Sequence, residues 1–271
     1  MTAATPPAAG QPAIRPQPRG PAATTGVGGA ALLVGTRIAL WPGIQLLLAA
    51  LLLLVGQAAT GGEALNEAAG WWMVYMALVD LATLGVIVWL LRRDGGTYRS
   101  LLGPPAAAWQ VALGALGVLA ASVPAVVFSG ELTSALYGDD AIPPMLAVVD
   151  VPPLAGVVSA LVVSLLAELA EPVAYLGVVL PRLEARLGRS WLAAAIVVAV
   201  WAGEHAFFPL LVDGGGLDLE FAAYRVLSVL PFLAIWTALY YTFERRLLPI
   251  MAARWIFNGG TALALALGLV G

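Results

Sequence analysis

The side chains of this chain that could do acid–base chemistry inside its apolar stretches are Asp80, Glu168, Glu171, Glu204, Arg225 and Arg254, together with His205, its only histidine. Carboxylates and imidazole take and return protons, and guanidinium and amide groups stabilise a developing oxyanion. A charge facing lipid alone costs about 2.5–3.5 kcal/mol on insertion scales, so each is expected to face protein or water. All but Asp80 lie after residue 154. That concentration marks the C-terminal half as the functional one and the earlier helices as a mostly apolar support.

Spacing groups these residues further. Ser164, Glu168, Glu171 and Tyr175 recur at helical intervals and share one stripe. Pro172 removes the N–H that would serve the carbonyl of residue 168, so a kink is expected beside the two carboxyls. Two carboxyls one turn apart in low dielectric do not both ionise cheaply, which leaves one available for proton transfer. His205 is the only imidazole for base catalysis; as a metal ligand it would need Glu168 or Glu171 beside it. Glu204 points about 100° away from it on a helix, and Arg225 is its expected partner. Arg254 and Asn258 share a face at i and i+4. At about 1.5 Å per residue, measured from Pro181, Trp191 and Pro249, residues Glu171, His205 and Asn258 sit roughly 14–21 Å from one boundary. Three helices can therefore deliver Glu, His and Asn to one layer.

The elements that must position them are membrane spans. The 271 residues are 61% hydrophobic and 11% charged, against about 25% charged for a soluble domain. Absence of Cys excludes thiol catalysis, Cys zinc sites and disulfides, and a net charge of −3 gives no sign of a nucleic-acid partner. Apolar runs near 38–56, 71–91, 107–129, 154–180, 191–212, 222–243 and 248–270 predict an all-α polytopic bundle of about seven transmembrane helices. An eighth, re-entrant piece is admitted around 142–150. Residues 1–30 read as a disordered, retained tail rich in Pro, Ala and Gly. Residues 31–150 read as supporting helices, and 151–271 as the core carrying the polar site. Arg15, Arg19 and Arg37, then Arg92, Arg93 and Arg99, then Arg182, Arg186 and Arg189, then Arg245 and Arg246 fall in alternate connections. The remaining connections carry only acids, Glu63, Glu67, Glu131, Asp139, Asp140, Asp150, Asp213, Asp218 and Glu220. The positive-inside rule then puts the N-terminus in the cytoplasm of a cell-membrane protein and the C-terminus outside. Trp41, Trp71, Trp72, Trp89, Trp109 and Trp191 fall near span ends, as an aromatic belt would.

Glu171-Pro-Val-Ala-Tyr175-Leu176-Gly177, Trp201-Ala-Gly-Glu204-His205 and Arg254-Trp-Ile-Phe-Asn258 resemble, in order, the E-E-x-x-x-R-G, F-x-x-x-H and H-x-x-x-N motifs of the CPBP intramembrane proteases. That family covers CAAX-processing and bacteriocin-immunity (Abi) proteins. The resemblance runs over roughly 90–262 and is most specific at 168–260, which makes the last four helices a CPBP-like core. The first Glu, first His and Asn are kept as Glu171, His205 and Asn258. Pro172 replaces the second Glu, Leu176 the Arg, Trp201 the Phe and Arg254 the second His, so the chain resembles a divergent member.

The resemblance implies an intramembrane endopeptidase. Glu171 would be the base, His205 would orient the water or bind metal, and Asn258 with Arg254 would donate to the oxyanion. Glu168, Tyr175, Glu204 and Arg225 would support them. The resemblance admits zinc as a cofactor, and Arg254 disfavours it, because a guanidinium neither ligates metal nor exchanges protons. The implied partners are the lipid bilayer and a peptide or membrane-protein substrate. A catalytically inactive CPBP-fold scaffold is the alternative, and the carboxyls and arginines could instead simply pair to hold the bundle. A proton-coupled carrier would call for an internal repeat, and the polar residues crowd into one half.

Overall fold

The computed structural model describes residues 26–138, 153–207 and 219–267. Most of the expected tail, with Arg15 and Arg19, the re-entrant piece at 142–150, and Asp139, Asp140, Asp150, Asp213 and Asp218 lie outside the described residues.

Among the described residues the fold is helical throughout. The elements in chain order are α1 (Gly26–Leu54), α2 (Gly61–Gly70), α3 (Trp72–Asp94), α4 (Tyr98–Leu101), α5 (Ala108–Tyr137) and α6 (Pro153–Pro172). A π-helical stretch (Val173–Val179) runs on into α7 (Leu180–Leu187), followed by α8 (Ser190–Glu204), a 3₁₀ turn (His205–Phe207), α9 (Leu219–Thr242) and α10 (Leu248–Ala266). Among the described residues six stretches are long and apolar enough to cross a membrane: Gly26–Leu54, Tyr75–Asp94, Ala108–Tyr137, Ala160–Leu187, Ser190–Phe207 and Leu219–Thr242. The expected seventh, α10, carries Arg254 and Asn258 and is not among them. The bundle is inside out relative to a soluble protein. Leu54, Leu113, Leu116 and Val162 are exposed, while Arg37, Asp80, Glu168, Glu204 and Arg254 are buried.

The helix starts and stops differ from the sequence reading in instructive ways. Residues 26–30, read as tail, form the first turns of α1. Arg37, read as a loop anchor, is therefore well inside that helix and only 2% exposed. Arg182 is likewise buried in α7, where its Nη2 meets Asp94 Oδ2 at 2.5 Å. Trp41 is buried within the protein, whereas Trp71, Trp89, Trp109 and Trp191 are exposed. The connection at 57–70 contains α2, started by a capping pair: Thr60 Oγ1 accepts from the Glu63 N–H at 3.2 Å and Glu63 Oε2 accepts from the Ala59 N–H at 2.8 Å.

Where Pro172 predicts a kink, the chain widens into a π register whose seven residues, Val173–Val179, are all buried. Proline withdraws an N–H from the α ladder. Packed on every side, the chain takes up that mismatch by adding to the turn.

α6 packs against α3 and α10, α10 against α5, and α9 against α5 and α8. One end is tied by Tyr98, whose hydroxyl donates to the Leu169 carbonyl at 2.5 Å; burial pushes that hydroxyl up to about 12, so it stays a donor. The α9–α10 turn runs through Glu244 and Arg245, both at positive φ, and is clamped by Arg245 on Glu184 at 2.7 Å. Its Leu247 N–H donates to the Leu102 carbonyl at 3.0 Å. Gly103 follows at φ +86°, so close that a Cβ would lie 2.3 Å from the Arg245 carbonyl oxygen.

Gly103→Ala should therefore destabilise the bundle by roughly 2–5 kcal/mol, from the left-handed backbone and the clash together. Gly117→Ala, whose Cβ would meet nothing within 4 Å, should be neutral or better. Thermal unfolding in detergent checks both.

Candidate functional site

Glu168 and Glu171 lie one turn apart near the end of α6 and face Arg254 of α10. Arg254 Nε donates to Glu168 Oε2 at 2.6 Å and Nη2 to Glu171 Oε2 at 2.7 Å. Asn258, one turn further along α10, donates from Nδ2 to Glu168 Oε1 at 2.9 Å. The Arg254 guanidinium lies over two rings, 4.6 Å from the centroid of Trp236 and 5.2 Å from that of Trp201. Its Nη1 has no hydrogen-bond partner among the described residues. Charge, planar donor geometry and flanking aromatic faces all suit Arg at this position.

The other oxygen of Glu171 faces α8. Oε1 accepts from the indole N–H of Trp201, and His205 Nε2 stands 3.8 Å away. His205 Nδ1 is 2.9 Å from the Trp201 carbonyl. A carbonyl only accepts, so Nδ1 carries the hydrogen, and a neutral ring then presents an acceptor at Nε2. The His205 side chain is 20% exposed, against 4% for Arg254, which makes it the open edge of the cluster.

Glu204 belongs to a second cluster. Its expected partner was Arg225; its guanidinium comes instead from Arg37, whose Nε lies 2.9 and 3.1 Å from its two oxygens and whose Nη2 lies 2.8 Å from Oε1. Trp41 Nε1 donates to Oε1 at 3.1 Å, and the Tyr175 hydroxyl also donates to Glu204. Arg37 is itself fixed by Asp80 at 2.9 Å and Thr83 at 3.0 Å. The Tyr175 ring stacks on Trp201 at 4.9 Å, 11° from parallel, so the two clusters meet at that stack. α1 and α3 are thus not merely apolar support. Arg225, half-buried on α9, is not the cation on Glu168 and Glu171.

The structure brings Glu168, Glu171, His205, Arg254 and Asn258 together and places Tyr175 and Glu204 directly behind them. Sequence reasoning missed Arg37, Trp41 and Trp236, and missed Trp201 as a donor. The signal for Arg37 was the apolar run Ala30–Val34 ahead of it, which extends the span backwards past the arginine.

The donor set does not fit zinc. Both carboxylates that could join His205 around a dication already hold the Arg254 guanidinium, and a metal there would sit against a fixed positive charge. Among the described residues no group of three His, Cys, Asp or Glu side chains is placed to hold a metal ion.

Arg254→Gln should leave two buried carboxylates without their cation and cost about 3–5 kcal/mol. Adding Glu168→Gln should return part of that loss, because the two changes share one contact. Thermal unfolding of both variants beside the wild type measures the coupling.

No curated protein and no solved structure matches the chain. A family model described as type II CAAX prenyl endopeptidase Rce1-like matches residues 153–260, from the start of α6 through Asn258. The segment bearing Glu168, Glu171, His205, Arg254 and Asn258 is therefore similar to the Rce1-like type II CAAX prenyl endopeptidases of the CPBP family, and it lies in a helical bundle with several helices long and apolar enough to cross a membrane.

Proposed function

We propose that the chain is an intramembrane endopeptidase in which Glu171 and His205 jointly activate a water for attack on a peptide carbonyl. The observation that carries this reading is the 3.8 Å separation of His205 Nε2 from Glu171 Oε1. With Nδ1 committed to the Trp201 carbonyl, these are two acceptors facing each other. A water with two O–H groups joins such a pair, donating one to each. Held there, it loses a proton to a base as its oxygen attacks.

Arg254 supplies the other half of the chemistry. Its charge is already matched by Glu168 and Glu171, so its unpartnered Nη1 suits a neutral peptide carbonyl, whose oxygen becomes anionic only in the tetrahedral intermediate. The Asn258 amide, which gives one N–H to Glu168, has a second that would serve the same oxygen. The substrate class is a peptide or membrane-protein segment brought to the depth of Glu171.

One observation favours a second reading, a catalytically inactive scaffold. Arg254, where the resembled motif has a histidine, holds both carboxylates by ion pairs and so occupies Glu168 Oε2 and Glu171 Oε2. The two readings differ in one experiment. In cells lacking the protein, mass spectrometry of membrane fractions should show peptides that accumulate and disappear when the wild type is restored, but persist with Glu171→Ala. Restoration by Glu171→Ala equal to the wild type overturns the peptidase reading in favour of the scaffold.

The membrane orientation we propose puts the N-terminus in the cytoplasm. It rests on exposed Arg92, Arg93, Arg99, Arg186 and Arg189, all at the end of the bundle where Asp94 meets Arg182 and Glu184 meets Arg245. The chain has no Cys, so single cysteines report cleanly. In intact cells an impermeant maleimide should label Glu67→Cys and spare Arg186→Cys; the reverse pattern would invert the topology.

A further inference from the structure

The Rce1-like segment begins at residue 153, yet the carboxylate next to its histidine is held from outside it. We propose that Arg37 is a positioning residue that holds His205 against Glu171 by acting through Glu204, a role that rests on the Glu171–His205 reading above.

The contacts form a closed circuit. Glu204 is the last residue of α8, and His205 follows it at the point where the backbone tightens into the 3₁₀ turn. Its carboxylate takes Arg37 at 2.8–3.1 Å and Trp41 Nε1 at 3.1 Å. From the other side it takes the Tyr175 hydroxyl. Tyr175 stacks on Trp201, whose indole N–H donates to Glu171 and whose carbonyl faces His205 Nδ1. Glu204 is therefore joined to His205 by a peptide bond and to Glu171 through two stacked rings.

Arg37 has no slack with which to absorb a shift. Asp80 and Thr83 fix its other nitrogen at 2.9 and 3.0 Å, and the Thr83 hydroxyl is spent on the Val79 carbonyl at 2.7 Å. Arg37, Asp80, Thr83 and Glu204 are each 2% exposed or less. With water excluded, the direction of each bond is fixed by its partners alone.

Gentle variants test the circuit without emptying the core. Trp41→Phe removes one donor to Glu204 and keeps the ring that lies edge-on to Tyr75. Tyr175→Phe removes the other and keeps the stack on Trp201. Arg37→Gln and Arg37→Lys complete the set, Lys keeping the charge without the fork. The readouts use the full chain in nanodiscs. Because His205 is the only histidine, ¹⁵N NMR of labelled imidazole reports that one ring. Turnover is followed with a reconstituted library of membrane peptides, taking kcat and KM for the peptide that the wild type cleaves fastest.

The expected result is a moved His205 signal in Trp41→Phe and Tyr175→Phe. kcat should fall about tenfold or more with KM within about twofold, and Arg37→Lys should lie between the wild type and Arg37→Gln. Unmoved His205 signals and wild-type kcat in the variants that fold overturn the positioning role. Failure of the wild type to cleave any peptide overturns the peptidase reading instead, and the NMR arm still decides whether Arg37 reaches His205.

Discussion

A guanidinium shut away from water can be held only by groups that answer its charge and fill its donors, and this bundle is organised around two such groups. Arg254 of α10 sits between Glu168 and Glu171 of α6; Arg37 of α1 sits between Asp80 of α3 and Glu204 of α8. Each arginine carries one charge against two carboxylates, and each group ties together separate helices. Apolar packing among membrane helices lacks the hydrophobic contrast that drives it in water. Directional polar contacts therefore do more to choose which helices are neighbours. The Tyr175–Trp201 stack joins the two groups, so that the polar interior is one connected object wrapped in leucine and valine.

Much of one half of that object was legible in the chain. Glu168, Glu171, Arg254 and Asn258 stand at helical intervals inside apolar runs, and intervals of three and four residues place side chains on a common face whatever the tertiary structure. The other half was hidden by a rule that is usually right. An arginine at the edge of an apolar run reads as a loop anchor, which places Arg37 at the membrane boundary and leaves Arg225 as the cation for Glu204. Trp41 was hidden in the same way, since a tryptophan near a span end satisfies the belt pattern and the buried-donor pattern equally. The Pro172 signal was sound about the missing N–H and silent about how the helix would respond, because that response depends on the packing around Val173–Val179. α2 carried a readable capping pair, Thr60 and Glu63, but its polar length drew attention as a connection.

An arginine stands where the resembled motif has a histidine, and that limits what the groups around Glu171 can do. Arginine keeps its proton at any physiological pH, so it cannot relay one. On the proposed peptidase reading, proton movement would then be confined to Glu171 and His205, and Arg254 would be left with electrostatics and orientation. The flat faces of Trp201 and Trp236 fit that role, since they flank a cation that must stay in place.

The separation of Arg37 from its partners along the chain also has a meaning in time. At about 5–20 residues per second of synthesis, Asp80 emerges roughly 2–9 s after Arg37, and Glu204 roughly 8–33 s after it. A newly inserted α1 thus carries an arginine whose final bidentate partner has not yet been made. Asp80, on the next long helix, is the first of its two carboxylate partners to be synthesised. In the finished protein the same guanidinium holds both, one carboxylate on α3 and one at the end of α8.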